Sequence, residues 1–369
     1  MRSAARIDLA ALAHNTRVVA ERAPGAAVMA VVKADAYGHG LVPCAQAAVA
    51  AGAGWLGVAF LEEALALRAA GLAVPVLSWL FAPDEDLGPA VAADVDLGAY
   101  TPAEVGRAAA AGQAVGRPAR LHLKADTGLS RGGATATDWP DLCEAAAKAQ
   151  AEGSVSVVGV WSHFASSELG PAHPTNAEQK RAFAEALEVA GAHGLTPEVR
   201  HLANSGAVLT DPETHYDLVR AGAALYGLAP VPGRRPEDDR LRPVMSLVSR
   251  VALTKRVPAG AGVSYGHTYT TGAETTLALV PLGYGDGIPR NATNAAPVQV
   301  AGVRHTVCGT VAMDQLVVDC GDDPVQAGDE VVLFGSGGPT VQEWAAALGT
   351  IDYEVVTRIG SRVPREHLP

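Results

Sequence analysis

At 369 residues the chain is longer than one hydrophobic core of about 250–300 residues usually serves, which points to two domains. Its 49% hydrophobic and 18% charged content describes a packed globule and excludes a disordered chain. A balance of 28 basic against 39 acidic residues, net −11, excludes broad contact with nucleic acid or an anionic membrane surface.

The first residues carry Arg2 and Arg6 but no apolar run before Asp8, so the start reads as that of a mature cytoplasmic protein. From Val28 onward, β-branched runs alternate with Ala-rich helical runs. The predicted strands are 28–33, 55–60, 74–80, 95–100, 119–126, 155–164, 199–205 and 216–220. The uncharged window 40–61 contains Pro43, Gln46 and several glycines, too weakly apolar for a membrane span. Helices are predicted at 61–70, 101–111 and 176–193. The second opens with Thr101, Pro102 and Glu104, a capping box with proline at the first helical position. Eight parallel strands, each with a helix or turn behind it, predict a (β/α)8 TIM barrel over residues 8–235. An open doubly wound sheet would need a G-x-G-x-x-G turn after an early strand, and none is present. The charged segment 233–240 then reads as a linker. Beyond it, Gly-punctuated β runs at 244–257, 275–283, 297–301, 303–308, 316–319 and 330–334 predict an all-β domain over 236–369, with helix only at 340–348. Residues 1–7 are free to join that second domain.

Five lysines are the whole supply of side-chain amines: Lys33, Lys124, Lys148, Lys180 and Lys255. The four cysteines form no C-x-x-C pair and have no matching histidine spacing, so neither zinc nor a disulfide framework is expected. Catalytic groups of such barrels sit at the C-terminal strand ends. Lys33, Lys124, His163, Asn204, Ser205 and Arg220 fall there. Lys148 and Lys180 lie on helices and Lys255 in the β domain, where solvated roles are expected. A lysine that closes the apolar run VMAVV is costly to bury as a cation, and desolvation would suit its amine to attack a carbonyl. The competing reading is a salt bridge from Lys33 to Asp35. Ser205 with the Gly222 and Ala223 backbone falls where this fold commonly binds phosphate, and a phosphate opposite a reactive lysine points to pyridoxal 5'-phosphate.

The motifs AVVKADAYGHG around Lys33, LKADTGLSRGG around Lys124, WSHFASSE around His163, HLANS at 201–205 and VRAGAALYG from Val219 occur in one order along the barrel. GVSYGHTY around Tyr265, GYGDGIPR at 283–290, AMDQ at 312–315 and DYEVVTRIGSRVPR near the C-terminus continue that order. Together they resemble bacterial alanine racemase, a fold-type III pyridoxal phosphate enzyme, over essentially the whole chain.

The resemblance implies a homodimer in which each barrel mouth is closed by the partner's β domain. Lys33 would anchor the cofactor and act as one base, and Tyr265 of the partner subunit as the other. Tyrosine needs help to act as a base near neutral pH, and His163 with Arg220 would supply a relay. Arg220 would donate to the cofactor's ring nitrogen and keep it unprotonated. Tyr37, Asn204, Ser205, Gly222, Ala223 and Tyr353 would bind the cofactor, mainly at its phosphate. Arg131 and the Met313 N–H would hold the substrate carboxylate. Lys124 would be carbamylated and hold Arg131. Tyr265 and Tyr353 would form a narrow gate admitting alanine, with Tyr284 and Arg290 along the approach and His39 and Asp314 in support. Thr310 and Ala312 stand where many relatives have larger or charged residues, so packing there is expected to differ. His122 and His201 are expected to be packing or surface groups.

The activity implied is interconversion of L- and D-alanine for peptidoglycan. A serine or broad-specificity racemase is the nearest alternative, separable by comparing rates on alanine, serine and lysine. A decarboxylase would place a carboxylate where Arg220 stands. A non-catalytic pyridoxal phosphate-binding protein would have the barrel alone, without Tyr265.

Overall fold

The computed structural model describes residues 2–369. Eight parallel strands form one sheet: Ala27–Val31, Trp55–Val58, Val76–Ser78, Val95–Ala99, Ala119–Lys124, Val155–Trp161, Val199–His201 and Leu218–Ala221. Each pairs with the next in chain order except the last two, and the last returns to the first with Met29 opposite Arg220. Between the seventh and eighth strands two backbone bonds replace a ladder: Asp217 N–H to the Arg200 carbonyl at 3.1 Å and Arg220 N–H to that of Ala203 at 3.0 Å. The result is a nearly closed barrel.

All eight predicted runs contain a strand, but most strands are shorter. The run 199–205 stops at His201 because the Asn204 side chain accepts the Ala207 N–H at 3.1 Å and caps the helix Ser205–Thr210. Thr101 and Glu104 do form the capping box that starts Pro102–Val115. The helix expected at 176–193 starts earlier, with Pro174 at its first turn, and ends at Ala192.

Alternation along the strands decides what fills the two sides. Leu97, Leu121, Leu123 and Val160 pack outward in one buried cluster with helix residues such as Leu67, Val105 and Leu142. Met29, Trp55, Leu77, Val158 and Leu218, from five different strands, form a second cluster that fills the barrel interior.

The second sheet has nine strands, including Ser3–Asp8. That strand runs antiparallel to Met245–Arg250 and parallel to the C-terminal Arg365–Leu368. The run 244–257 is broken into Met245–Arg250 and Leu253–Val257, which pair with different neighbours. Helix is not confined to Val341–Leu348, since a second helix covers Asp352–Thr357. Its six residues are under two turns, too short for a 3.6-residue periodicity to show. No helix among the described residues is long and apolar enough to cross a membrane.

Candidate active site

Lys33 follows the first barrel strand, and the chain then enters a left-handed turn. Ala34, Asp35, Ala36 and Tyr37 have φ of 52°, 53°, 53° and 56°. For non-glycine residues that conformation costs about 1–2 kcal/mol each, so contacts outside the turn must hold it. Glu63 accepts the Ala34 N–H at 2.6 Å with one oxygen and the Ala59 N–H at 2.9 Å with the other. The Asp35 carboxylate accepts the Leu41 N–H at 2.7 Å. From the C-terminal segment, Arg365 Nε donates to the Gly38 carbonyl at 2.9 Å and His367 Nε2 lies 2.9 Å from the His39 carbonyl. Asp35 is therefore a turn residue, not the partner of Lys33. The Lys33 amine forms no ion pair among the described residues, and it lies 5.9 Å from the Trp79 ring centroid. Burial, then the charge of Arg131, pulls its pKa below the ordinary lysine value, with Glu63 opposing.

Across the barrel closure, Arg220 is 4% exposed. Its Nη1 donates to the His201 carbonyl at 2.9 Å and to His201 Nδ1 at 3.1 Å. Its Nη2 donates to the carbonyls of Ser162 and Leu202 at 2.7 and 3.0 Å and to His163 Nδ1 at 3.2 Å. The Nε–H has no acceptor among the described residues. Burial lowers the guanidinium to about 9, still charged at neutral pH. A strand-end salt bridge, the plain alternative for this residue, is not formed. His163 is held neutral, well below the ordinary histidine range, by burial and then by Arg220.

Just beyond Arg220, the Ser205 hydroxyl accepts the N–H groups of Gly222 at 2.9 Å and Ala224 at 3.2 Å, leaving the Ala223 N–H without an acceptor. A Cβ added at Gly222 would lie 2.4 Å from the Tyr37 hydroxyl oxygen, so only glycine lets that phenol approach the loop. Tyr353, on the helix missed in the sequence, packs 6.1 Å from Tyr37, and neither phenol has a hydrogen-bond partner among the described residues. A cradle of unpaired donors around a glycine suits a phosphate.

Lys124 lies between aromatic faces, 4.7 Å from the Trp161 ring centroid and 5.2 Å from that of Tyr100. Burial, then Arg131 and Arg220, lowers its amine to about 8. Arg131 is exposed and joins no ion pair among the described residues, so its acceptors are free to come from a ligand. Lys180 bridges Asp211 at 3.1 Å and Glu213 at 3.0 Å, a surface role as expected.

The remaining candidates stand on the β domain and do not join this cluster within the chain. Tyr265 is 70% exposed, and its neighbouring groove of about 470 Å³ is lined by β-domain residues alone, Lys255 and Ala312 among them. Tyr265 and Tyr353 make no ring contact, so one chain does not form the expected gate. Met313 is 53% exposed with its N–H unused. Its loop is bound to the Tyr284 loop, since Tyr284 N–H donates to the Ala312 carbonyl at 3.0 Å and Gly285 N–H to that of Met313 at 2.8 Å. Asp314 pairs with Arg362 at 2.7 Å, which also reaches the buried Asp286 at 3.3 Å. The Thr310 hydroxyl donates to the Tyr265 carbonyl at 2.8 Å, which gives Thr310 a structural role. Tyr284 and Arg290 are exposed beside these loops, and His39 is fully buried against Tyr226.

Sequence reasoning missed Glu63, Arg365 and His367, which clamp the lysine turn. It also placed His122 and His201 outside the chemistry, whereas His201 contacts Arg220 directly and His122 contacts His201 at 2.9 Å. One signal was visible: Arg120, His122 and Lys124 alternate along a single strand.

This is the architecture of a barrel enzyme with a separate β domain. Residues 7–230 match the family profile "Alanine racemase, N-terminal domain" and residues 244–367 match "Alanine racemase, C-terminal domain". The chain is 59% identical to an alanine racemase of Frankia casuarinae, with 100% of this chain and 97% of the relative covered. The structure of alanine racemase from D-cycloserine-producing Streptomyces lavendulae aligns with a TM-score of 0.98 at 53% identity, covering 100% of this chain and 97% of the other. That of the Bartonella henselae alanine racemase with covalently bound pyridoxal phosphate aligns with a TM-score of 0.89 at 28% identity, covering 100% of both chains. The chain belongs to the alanine racemase family.

Proposed function

We propose that this chain interconverts L- and D-alanine with pyridoxal 5'-phosphate at the barrel mouth, using two bases on opposite faces of the substrate, and so supplies D-alanine for peptidoglycan. The observation that carries this reading is a partly buried amine, Lys33, without a carboxylate partner, at the same strand ends as an arginine whose Nε–H lacks an acceptor. The unpaired donors fit the cofactor. Lys33 would hold it covalently and Arg220 Nε would face its ring nitrogen. Tyr37, Tyr353, Gly222, Ala223 and Ser205 would hold its phosphate, with Asn204 fixing the Ser205 helix. When bound, the cofactor supplies an electron sink that makes the α-proton of an amino acid removable.

The two faces need separate groups, because one base cannot both remove a proton from one side and deliver one to the other. Lys33, its amine favoured in the neutral form by burial, serves one face. Tyr265 of the partner subunit serves the other, linked to Arg220 through His163. Arg131 and the Met313 N–H of the partner subunit hold the substrate carboxylate. Tyr353, with Tyr265 of the partner subunit, narrows the site to a methyl side chain. Tyr284 and Arg290 line the approach, and Asp314 steadies the Met313 loop. Lys124 carries a carbamate that faces Arg131, which turns two repelling cations into an ion pair.

Lys33→Ala tests the centre of this reading. It is expected to abolish racemisation in both directions together with the visible absorbance of covalently held cofactor. Retention of both signals would overturn it.

A further inference from the structure

The interior of the barrel carries a line of polar groups that leads away from the candidate site. Alternation turns Asp96 and Gly98 inward from the fourth strand and Arg120, His122 and Lys124 from the fifth; on the sixth, a register shift opposite Leu121 and His122 brings Gly159 as well as Val158 inward, with His201 and Arg220 facing them. Arg220 Nη1 is 3.1 Å from His201 Nδ1, His201 Nε2 is 2.9 Å from His122 Nδ1, and His122 Nε2 is 3.3 Å from Asp96 Oδ2. Asp96, His122 and His201 are each 0% exposed. The far end is fixed by Arg120, whose Nε donates to Asp96 Oδ1 at 2.5 Å from a partly exposed position. Trp161 stacks on His201 with an interplanar angle of 4°, and Trp55 meets His122 edge-on at 79°. Space for the ring pair comes from Gly159, where an added Cβ would lie 2.2 Å from His122 Nδ1.

Proton accounting allows one arrangement. A guanidinium only donates, so His201 Nδ1 accepts and the His201 proton sits on Nε2. His122 Nδ1 must then accept that proton, so the His122 proton sits on Nε2 and points to the Asp96 carboxylate. Both rings are neutral, both are the Nε2–H tautomer, and every bond points the same way. For His201, burial followed by the charge of Arg220 keeps the proton affinity well below the ordinary range. At Asp96 burial alone would favour the acid, but the hydrogen bonds from His122 and Arg120 and the charge of Arg120 outweigh it and favour the carboxylate.

We propose that Asp96 is the remote counter-ion of Arg220, acting through His122 and His201, and that Asp96 and His122 are positioning residues for the guanidinium. Arg220 has no direct carboxylate partner among the described residues, and a buried cation without one is costly. The wire supplies a negative end while leaving the Nε–H free toward the mouth. A carboxylate in direct contact would compete for that donor. Aligned bonds in a low-dielectric interior also polarise one another. The effect on catalysis rests on the function proposed above, whereas the tautomers do not.

Nitrogen NMR of the holoenzyme with isotopically labelled histidine tests the wire. The wild-type protein at neutral pH should show His122 and His201 neutral and protonated at Nε2. An Nδ1–H form or a protonated ring at either position overturns the proposal without any variant. Asp96→Asn should shift the tautomer populations of both rings and lower kcat about tenfold with little change in KM, as outer partners that orient metal-bound imidazoles do. Arg120→Lys keeps a cation beside Asp96 and leaves the wire untouched, so it should keep wild-type tautomers and kcat within about twofold. Equal losses in the two variants, or unchanged tautomers in Asp96→Asn, would make Asp96 a structural plug and sink the idea.

Discussion

At the barrel mouth Lys33, Lys124, His163 and Arg220 are wholly or largely buried, and each is oriented by contacts within its own chain. On the β domain Tyr265 and Met313 are 70% and 53% exposed, and they are oriented only through their backbones. The difference follows the cost of burying charge. Cations taken out of water need partners made in the same folding event, and the barrel supplies carbonyls, imidazoles and aromatic faces. A phenol and a backbone N–H incur no such penalty until something covers them. One half of the candidate site is thus finished by folding, and the other is left open to solvent.

The largest test of that contrast is complementation between dead variants. Lys33→Ala and Tyr265→Phe should each lose most activity alone. If a site draws Lys33 from one subunit and Tyr265 from the other, a mixed two-fold dimer contains one intact site and one doubly defective site. An equimolar mixture reassembled from subunits should then recover about a quarter of wild-type activity, since half the dimers are mixed and one site in two is intact. Residues acting within one chain predict no recovery, and racemisation measured after mixing decides between them.

A smaller effect, confined to the barrel half, concerns Lys124. Its folded pKa of about 8 lies below the ordinary value of 10.5, so folding disfavours its proton. The penalty is fully present below the folded pKa and is relieved as pH rises from about 8 toward 10.5. Carbamylation consumes the neutral amine, so at fixed dissolved carbon dioxide its occupancy should climb as pH passes 8. Native mass spectrometry should show the added carbon dioxide in wild type and not in Lys124→Met, whose kcat/KM should fall about tenfold through loss of a charged partner for Arg131. Full activity with an unmodified Lys124 would remove the carbamate.

The barrel was legible because its signals are local. β-Branched runs mark strands, Thr101 and Glu104 mark a helix start, and Lys33 and Arg220 fall at strand ends wherever the exact boundary lies. The polar interior was harder to read. In the strand Ala119–Lys124 the alternating Arg120, His122 and Lys124 would be the wet face of an open sheet, but closure of the barrel makes it the inside. The exposed candidates on the β domain were named by motif alone, because no local pattern singles out Tyr265. Least legible was the left-handed turn after Lys33, where no glycine or asparagine occupies positions 34–37.

That turn gives the smallest and most local test of the barrel half. Ala34 is exposed, so changing it alters backbone preference with little loss of packing. A β-branched residue tolerates the left-handed region worse than alanine does, and Ala34→Val should destabilise the protein by about 2 kcal/mol. Glycine enters that region freely but makes the unfolded chain more flexible, so Ala34→Gly should stay within about 1 kcal/mol of wild type. Denaturant unfolding measures both. The turn sets the direction of Lys33 and Tyr37 together, so the valine variant should also bind the cofactor several-fold more weakly, while subunit association is unchanged. A valine variant as stable as wild type would mean that the clamp by Glu63, Arg365 and His367 does not impose the left-handed path. Weaker association in that variant would instead tie the turn to the proposed subunit interface, and the division between a half finished by folding and a half left open to solvent would fail at this point.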